Sequence, residues 1–214
     1  MSFADLLITS TTQMFQSGKP LMSRLFEDGS TAETWAHYPP DDVVNGAASS
    51  RYFYHAHPPE ERDSDEHGHF HLFLGKHVFD AALDAISDTP SALIPPPPLP
   101  DGQRRADVVH FAALSIGYDG LPLRWFGTNR WVTDEWLYPA DDVIERLGQF
   151  DMRGPSGDPL VNDWLTAMVH LAREEIADLL HERDAVLKTQ DMTGENRDVE
   201  VTGVRVVDFE ALLS

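Results

Sequence analysis

Two stretches, Ser49-Ser50-Arg51-Tyr52-Phe53-Tyr54-His55-Ala56-His57 and Glu66-His67-Gly68-His69-Phe70-His71-Leu72-Phe73-Leu74, decide how this chain is read. Successive side chains of an extended strand point to opposite faces, so a spacing of two places His55 and His57 together on one run and His67, His69 and His71 together on the other. Tyr52 and Tyr54 lie opposite the first set, and Phe70, Leu72 and Leu74 opposite the second. The pattern predicts a hairpin with one apolar face and one imidazole face. Pairing His57 with His67 sets His55 opposite His69, with Cβ atoms about 4.5–5.5 Å apart, close enough to share one metal ion.

The loop joining the two runs carries Glu60, Glu61, Asp63, Asp65 and Glu66 beside a single Arg62. Glu60, Asp63 and Asp65 read as solvated, whereas Glu61 or Glu66 can turn inward to complete a His/carboxylate ligand set. The candidate metal ligands are therefore His55, His57, His69, His71 and Glu66, with His110 added from a later strand. By alternation His110 shares a face with Val108, Ala112, Leu114 and Ile116, which suits either a buried, hydrogen-bonded imidazole or a ligand reaching the site.

Composition narrows the chemistry. The chain has 214 residues, 42% of them hydrophobic, enough for one well-cored domain spanning 1–214. Sixteen basic against 36 acidic side chains give a formal net charge of −20, which disfavours nucleic acid and anionic membrane surfaces and suits cations. There is no cysteine, so disulfides, thiolate zinc sites, iron–sulfur clusters and cysteine nucleophiles are excluded. The first 17 residues lack a basic start and an unbroken apolar core, and no run approaches the length of a membrane span. The expectation is a soluble, cytoplasmic protein.

Along the chain, helical spacing covers 2–16, with short helices expected at 21–27 and at 31–36, the last capped by Thr31. His37 stands at a rigid corner before Pro39-Pro40 from which it could approach the histidine hairpin, but it reads more simply as a surface histidine beside a turn. A helix is expected over 77–86, followed by a proline-rich internal loop at 87–106 containing Pro95-Pro96-Pro97-Pro98. A second hairpin follows, 107–118 and 121–131, turning at Tyr118-Asp119-Gly120. Its end carries Asn129, Arg130 and Trp131, with Trp136 near by. Asn129 can donate and accept, Arg130 offers a rigid fork for an anion, and the tryptophans can wall a pocket. A helix over 141–150, a long helix over 158–188 capped by Asp158 or Asn162, and a last strand over 199–209 complete the chain. The fold class is α+β: an antiparallel sheet of about five strands, open or curled into a partial barrel, flanked by helices and a long C-terminal helix.

Two resemblances follow from these motifs. His55-Ala56-His57, Glu61 and Gly68 keep the spacing of the first metal motif of the cupins, in which two histidines and a glutamate bind a metal inside a small β-barrel. Ser49 stands where that motif has glycine, the second cupin motif is missing, and His110 is its only stand-in. Across most of its length the chain resembles an uncharacterised bacterial domain family with Tyr54-His55-Ala56-His57, Glu66-His67-Gly68-His69-Phe70-His71 and Thr128-Asn129-Arg130-Trp131-Val132-Thr133. No activity carries over from it, and it favours Glu66 over Glu61.

Three functions fit. The first is a metalloenzyme of the non-haem iron or zinc type, an oxygenase or hydrolase. In it Fe, Zn, Cu, Ni or Mn is held by the histidines, and Glu66, Asn129 and Arg130 serve a small, anionic substrate. The second is a metal carrier, buffer or sensor without catalysis. The third is a pH-responsive binding module.

Overall fold

A computed structural model describes residues 1–26, 32–83, 106–190 and 197–213. Six strands form one antiparallel sheet in chain order: β1 Tyr38–Asn45, β2 Ser50–His55, β3 Glu66–Gly75, β4 Val108–Gly117, β5 Pro122–Thr128 and β6 Val201–Val206. The sheet stays open, so α+β holds and the partial barrel does not form. The helices are α1 Phe3–Gln16, α2 Leu21–Leu25, α3 His77–Leu83, α4 Arg130–Thr133, α5 Ala140–Arg146, α6 Pro159–Leu171, α7 Arg173–Gln190 and α8 Phe209–Leu212.

Several expected elements differ. The sixth strand is β1, which Pro39 and Pro40 disguise as a corner. The described part of the expected helix at 31–36 is a turn, with Ala36 N–H donating to Glu33 O at 3.2 Å, while Thr31 lies outside the described residues. The proline-rich loop, Ala106 apart, also lies outside them. The long helix breaks at Ala172 into α6 and α7; Asp158 caps α6 as expected, accepting from the N–H groups of Leu160 and Val161.

The long helices α1, α6 and α7 cover one face. Tyr52, Tyr54, Phe70, Leu72 and Leu74 pack there with Leu6, Leu7 and Met14 of α1, Trp164, Leu165 and Met168 of α6, and Leu179 and Leu180 of α7. Full burial of each large side chain contributes about 1.5–3 kcal/mol. Asn162 of α6 accepts from the Tyr52 hydroxyl at 3.1 Å and pins the helix layer to the hairpin. The opposite face keeps Arg51, Phe53, His55, His69, His71 and Phe73, and the site is built there.

Pairing of β2 with β3 runs from Ser50↔Leu74 to His55↔His69, the register expected for that pair, and stops there. The expected His57–His67 pair does not form. A bulge between Glu66 and Gly68 reverses the alternation, turning His67 to the Tyr54 hydroxyl at 2.7 Å and Glu66 to the histidine face. His67 therefore does not belong with His69 and His71. A second bulge, between Leu72 and Phe73, sets His110 opposite Phe73 and sends Phe111 to the core.

Gly68 makes the first bulge possible, since a Cβ there would lie 2.4 Å from the His55 carbonyl oxygen and 2.6 Å from the Tyr54 hydroxyl. Gly68→Ala is expected to destabilise the fold by about 1–3 kcal/mol, read from the midpoint of urea unfolding. An unchanged midpoint would mean that β2 and β3 separate freely at this point.

Candidate metal centre

His55, His57 and His69 each offer a ring nitrogen within 4.8 Å of the others. The Nε2 atoms of His55 and His69 are 2.8 Å apart, so two lone pairs can converge on one ion. His71 adjoins them, its ring centroid 5.0 Å from that of His55 and 4.9 Å from that of His69. It is 1% exposed, yet its Nε2 has no hydrogen-bond partner among the described residues. An orphaned polar atom at that depth costs about 1–3 kcal/mol unless a ligand satisfies it.

The remaining nitrogens of three rings are engaged, which fixes their orientation. His69 Nδ1 lies 2.8 Å from Glu66 Oε1, and Ser115 Oγ donates to Glu66 Oε2 at 2.5 Å. His71 Nδ1 lies 3.0 Å from His110 Nε2, and His110 Nδ1 lies 3.2 Å from Thr128 Oγ1. His57 hydrogen-bonds the Glu61 backbone. With Nδ1–H of His69 given to a carboxylate, its Nε2 presents a lone pair to the cluster, the tautomer that metal-bound histidines adopt.

Burial works against protonation of these rings. Desolvation first, and neighbouring imidazoles second, bring His55 down to about 2 and His57 to about 4. Desolvation also leads in lowering His110 to about 3 and His71 well below the usual histidine value. For Glu66 burial raises the pKa, but the hydrogen bonds from His69 and Ser115 outweigh it and hold the carboxyl below its ordinary value. Neutral imidazoles backed by a carboxylate suit a divalent cation.

Of the other expected site residues, Asn129 and Arg130 line neither large cavity beside the histidines. Asn129 Nδ2 and Trp131 Nε1 both donate to Val199 O, at 3.0 and 2.8 Å, tying α4 to the residues before β6. Arg130 is buried near Glu135. Trp131 does wall a cavity, as expected; Trp136 instead lies under the Lys76 ammonium, 4.6 Å from its ring centroid.

The cavity that Trp131 walls measures about 730 Å³ and reaches His55, His57 and His71; another, of about 690 Å³, reaches His57, His69 and Glu66. His57, Glu61 and Glu200 border both.

Sequence reasoning missed two contributors, Asp42 and Trp35, and favoured a surface role for a third, His37. His37, read as a surface residue, stacks on Phe53 with centroids 3.8 Å apart and stands 6.0 Å from the His55 ring. Its Nδ1 lies 3.0 Å from Asp42 Oδ1, while Asp42 Oδ2 accepts from Arg51 Nε at 2.7 Å. Trp35, held at φ 67, sets its ring 4.3 Å from that of His57. Its position just before His37 was the only hint in the sequence.

The depressed histidines predict the pH dependence of metal-free protein. A ring whose folded pKa lies below its unfolded value of 6.5 stabilises fully above 6.5, and that contribution is lost as pH falls towards the folded values. Glu135 has the opposite sign: burial raises it from 4.5 to about 8, so its contribution is complete below 4.5 and lost as pH rises through about 8. Six lowered histidines, His67 and His170 included, against the raised Glu135 and Asp163 make the melting temperature fall between pH 7 and pH 5, measured by thermal unfolding in chelator. A rise over that interval would contradict the assignment.

A family model described as Domain of unknown function (DUF6969) matches residues 2–207, in keeping with the resemblance to an uncharacterised family. No curated protein and no solved structure matches the chain. The open sheet also lacks the closed barrel that the cupin spacing implies. On a match across nearly the whole sequence, the protein belongs to the DUF6969 family.

Proposed function

We propose that this protein is a metal-dependent enzyme acting on a small molecule. In this reading His55, His57 and His69 hold one divalent transition-metal ion, with His71 beside it as a fourth nitrogen. The observation that carries the reading is the convergence within 4.8 Å of three imidazoles, those of His55 and His69 buried and that of His57 half-buried. An all-imidazole set suits Zn, Fe, Cu, Ni or Mn, and hence hydrolytic or oxygen-dependent chemistry. Bound there, the ion would supply Lewis acidity or activate water or oxygen.

Glu66 and His110, expected as ligands, serve here as the groups behind them. Both Glu66 oxygens are taken, one by His69 and one by Ser115, and His110 Nε2 faces His71 Nδ1. On the cavity wall Asp42 holds Nδ1 of His37, leaving Nε2 on the opposite edge of the ring to accept or return a proton during reaction. The cavity of about 730 Å³ beside the cluster supports catalysis over storage, because a carrier needs no room for a substrate. The acidic border of the smaller cavity, Glu60, Glu61, Asp198 and Glu200, is what favours the alternative, a carrier or buffer. Burial keeps His55 and His57 uncharged at neutral pH, so a metal ion suits the cluster better than a proton and the pH-sensor reading recedes.

Untagged protein titrated with Zn, Co and Fe salts is expected to bind close to one equivalent by elemental analysis. His55→Ala/His57→Ala, still folded by circular dichroism, is expected to lose it. Glu66→Gln is expected to weaken affinity by about 10–100-fold. Azide added to the cobalt form should shift its visible spectrum through an open position. Stoichiometric cobalt blind to azide would select the carrier, and no metal in the parent would sink both readings.

A further inference from the structure

The geometry points to a neutral aromatic compound as the ligand of the larger cavity. The inference deepens the proposed function, resting on that cavity being the substrate side of the metal centre. Its walls carry the rings of Trp35, Phe53, Phe73 and Trp131, and its volume of about 730 Å³ falls in the range of small-molecule sites.

Trp35 carries most of the argument. It is 53% exposed, and its backbone sits in the left-handed region at φ 67, a conformation costly for a bulky L-residue. Its N–H donates to Ala56 O at 3.0 Å, between His55 and His57, so the indole is anchored to the segment that bears the ligands. Its ring stands 4.3 Å from His57 and 6.2 Å from His55. An exposed indole held against the backbone's own preference and beside the metal nitrogens is placed to cover a ring bound there. Phe53 is steadied by stacking on His37, and Trp131 by its bond to Val199 O.

Charge decides between classes of aromatic ligand. The cavity's arginine, Arg51, is neutralised by Asp42, through Nε at 2.7 Å and through Nη2 as well, so no uncommitted fork awaits a carboxylate or phosphate. Glu61 and Glu200, at the border with the smaller cavity, would repel an anion. Apolar walls with hydrogen-bonding groups at the margin suit a ring compound without formal charge, such as a phenol or an indole.

Calorimetric titration of the zinc-loaded full chain with indole, benzoate and phenyltrimethylammonium tests this, with metal content measured on the same samples. Indole is expected to bind saturably and more tightly than either charged probe. Trp35→Ala is expected to weaken it by about two- to ten-fold, the worth of one aromatic pair, with zinc content unchanged. Tighter binding of benzoate or of phenyltrimethylammonium would overturn the inference, as would no binding of indole. Zinc retained without indole binding fails this inference alone, and indole binding to a chain that takes no metal fails the metal reading alone.

Discussion

Strict alternation along a pleated strand allows a side chain onto the histidine face only at every second residue, and this site exists because β1, β3 and β4 break that rule. Between Glu66 and Gly68 one extra residue turns a carboxylate towards His69. Between Leu72 and Phe73 the register shift brings His110 behind His71. In β1 an irregularity between Tyr38 and Val43 leaves Asp42 at φ 50, facing His37 and Arg51. Each departure delivers one polar group that regular pleating would have sent to the wrong face or to solvent.

Those groups matter because the imidazoles are costly where they lie. Taking four neutral rings out of water requires hydrogen bonds or an ion for their nitrogens. Glu66, His110 and the Glu61 backbone satisfy the outer nitrogens and leave the inner ones directed at each other. The arrangement is polarised, with a carboxylate outside and ring nitrogens inside, a donor set that could hold a cation. The helix layer contributes indirectly. Tyr52, Tyr54, Phe70 and Leu72 pack against α1, α6 and their neighbours, so the strands that bear the histidines have a rigid back.

Much of this was legible in the residues. Periodicity of two over 50–57 and 66–74 was enough for the hairpin, its apolar side and the His55–His69 register. Periodicity of 3.6 over 158–188 was enough for the helical layer, though not for the break at Ala172. Gly68 inside an otherwise regular strand was a readable mark of a bulge, but it was read only as a motif position. His110 lacked even that mark, because its bulge contains Phe111 and no glycine. Pro39 and Pro40 hid β1, since proline normally argues against a strand and is tolerated only at an edge. With β1 hidden, Asp42 and His37 could not be placed. The anion site expected at Asn129 and Arg130 rested on residue type alone, and type does not reveal which side of a wall a group occupies.

Strand order equal to chain order also carries an entropic consequence. Pairings from β1 to β5 join chain neighbours, but β6 returns to β5 only after α5, α6 and α7 have intervened. Loop-closure entropy grows with the length of chain enclosed, so the contact of Thr128 with Val201 bears a larger ordering cost than the His55–His69 hairpin. The histidines of β2 and β3 thus sit in a local pairing, and Glu200, beside the strand with the longest connection to its neighbour, belongs to the least local. The clustered imidazole nitrogens of β2 and β3 and the Glu200 border of their cavities accordingly draw on different parts of the chain's conformational entropy.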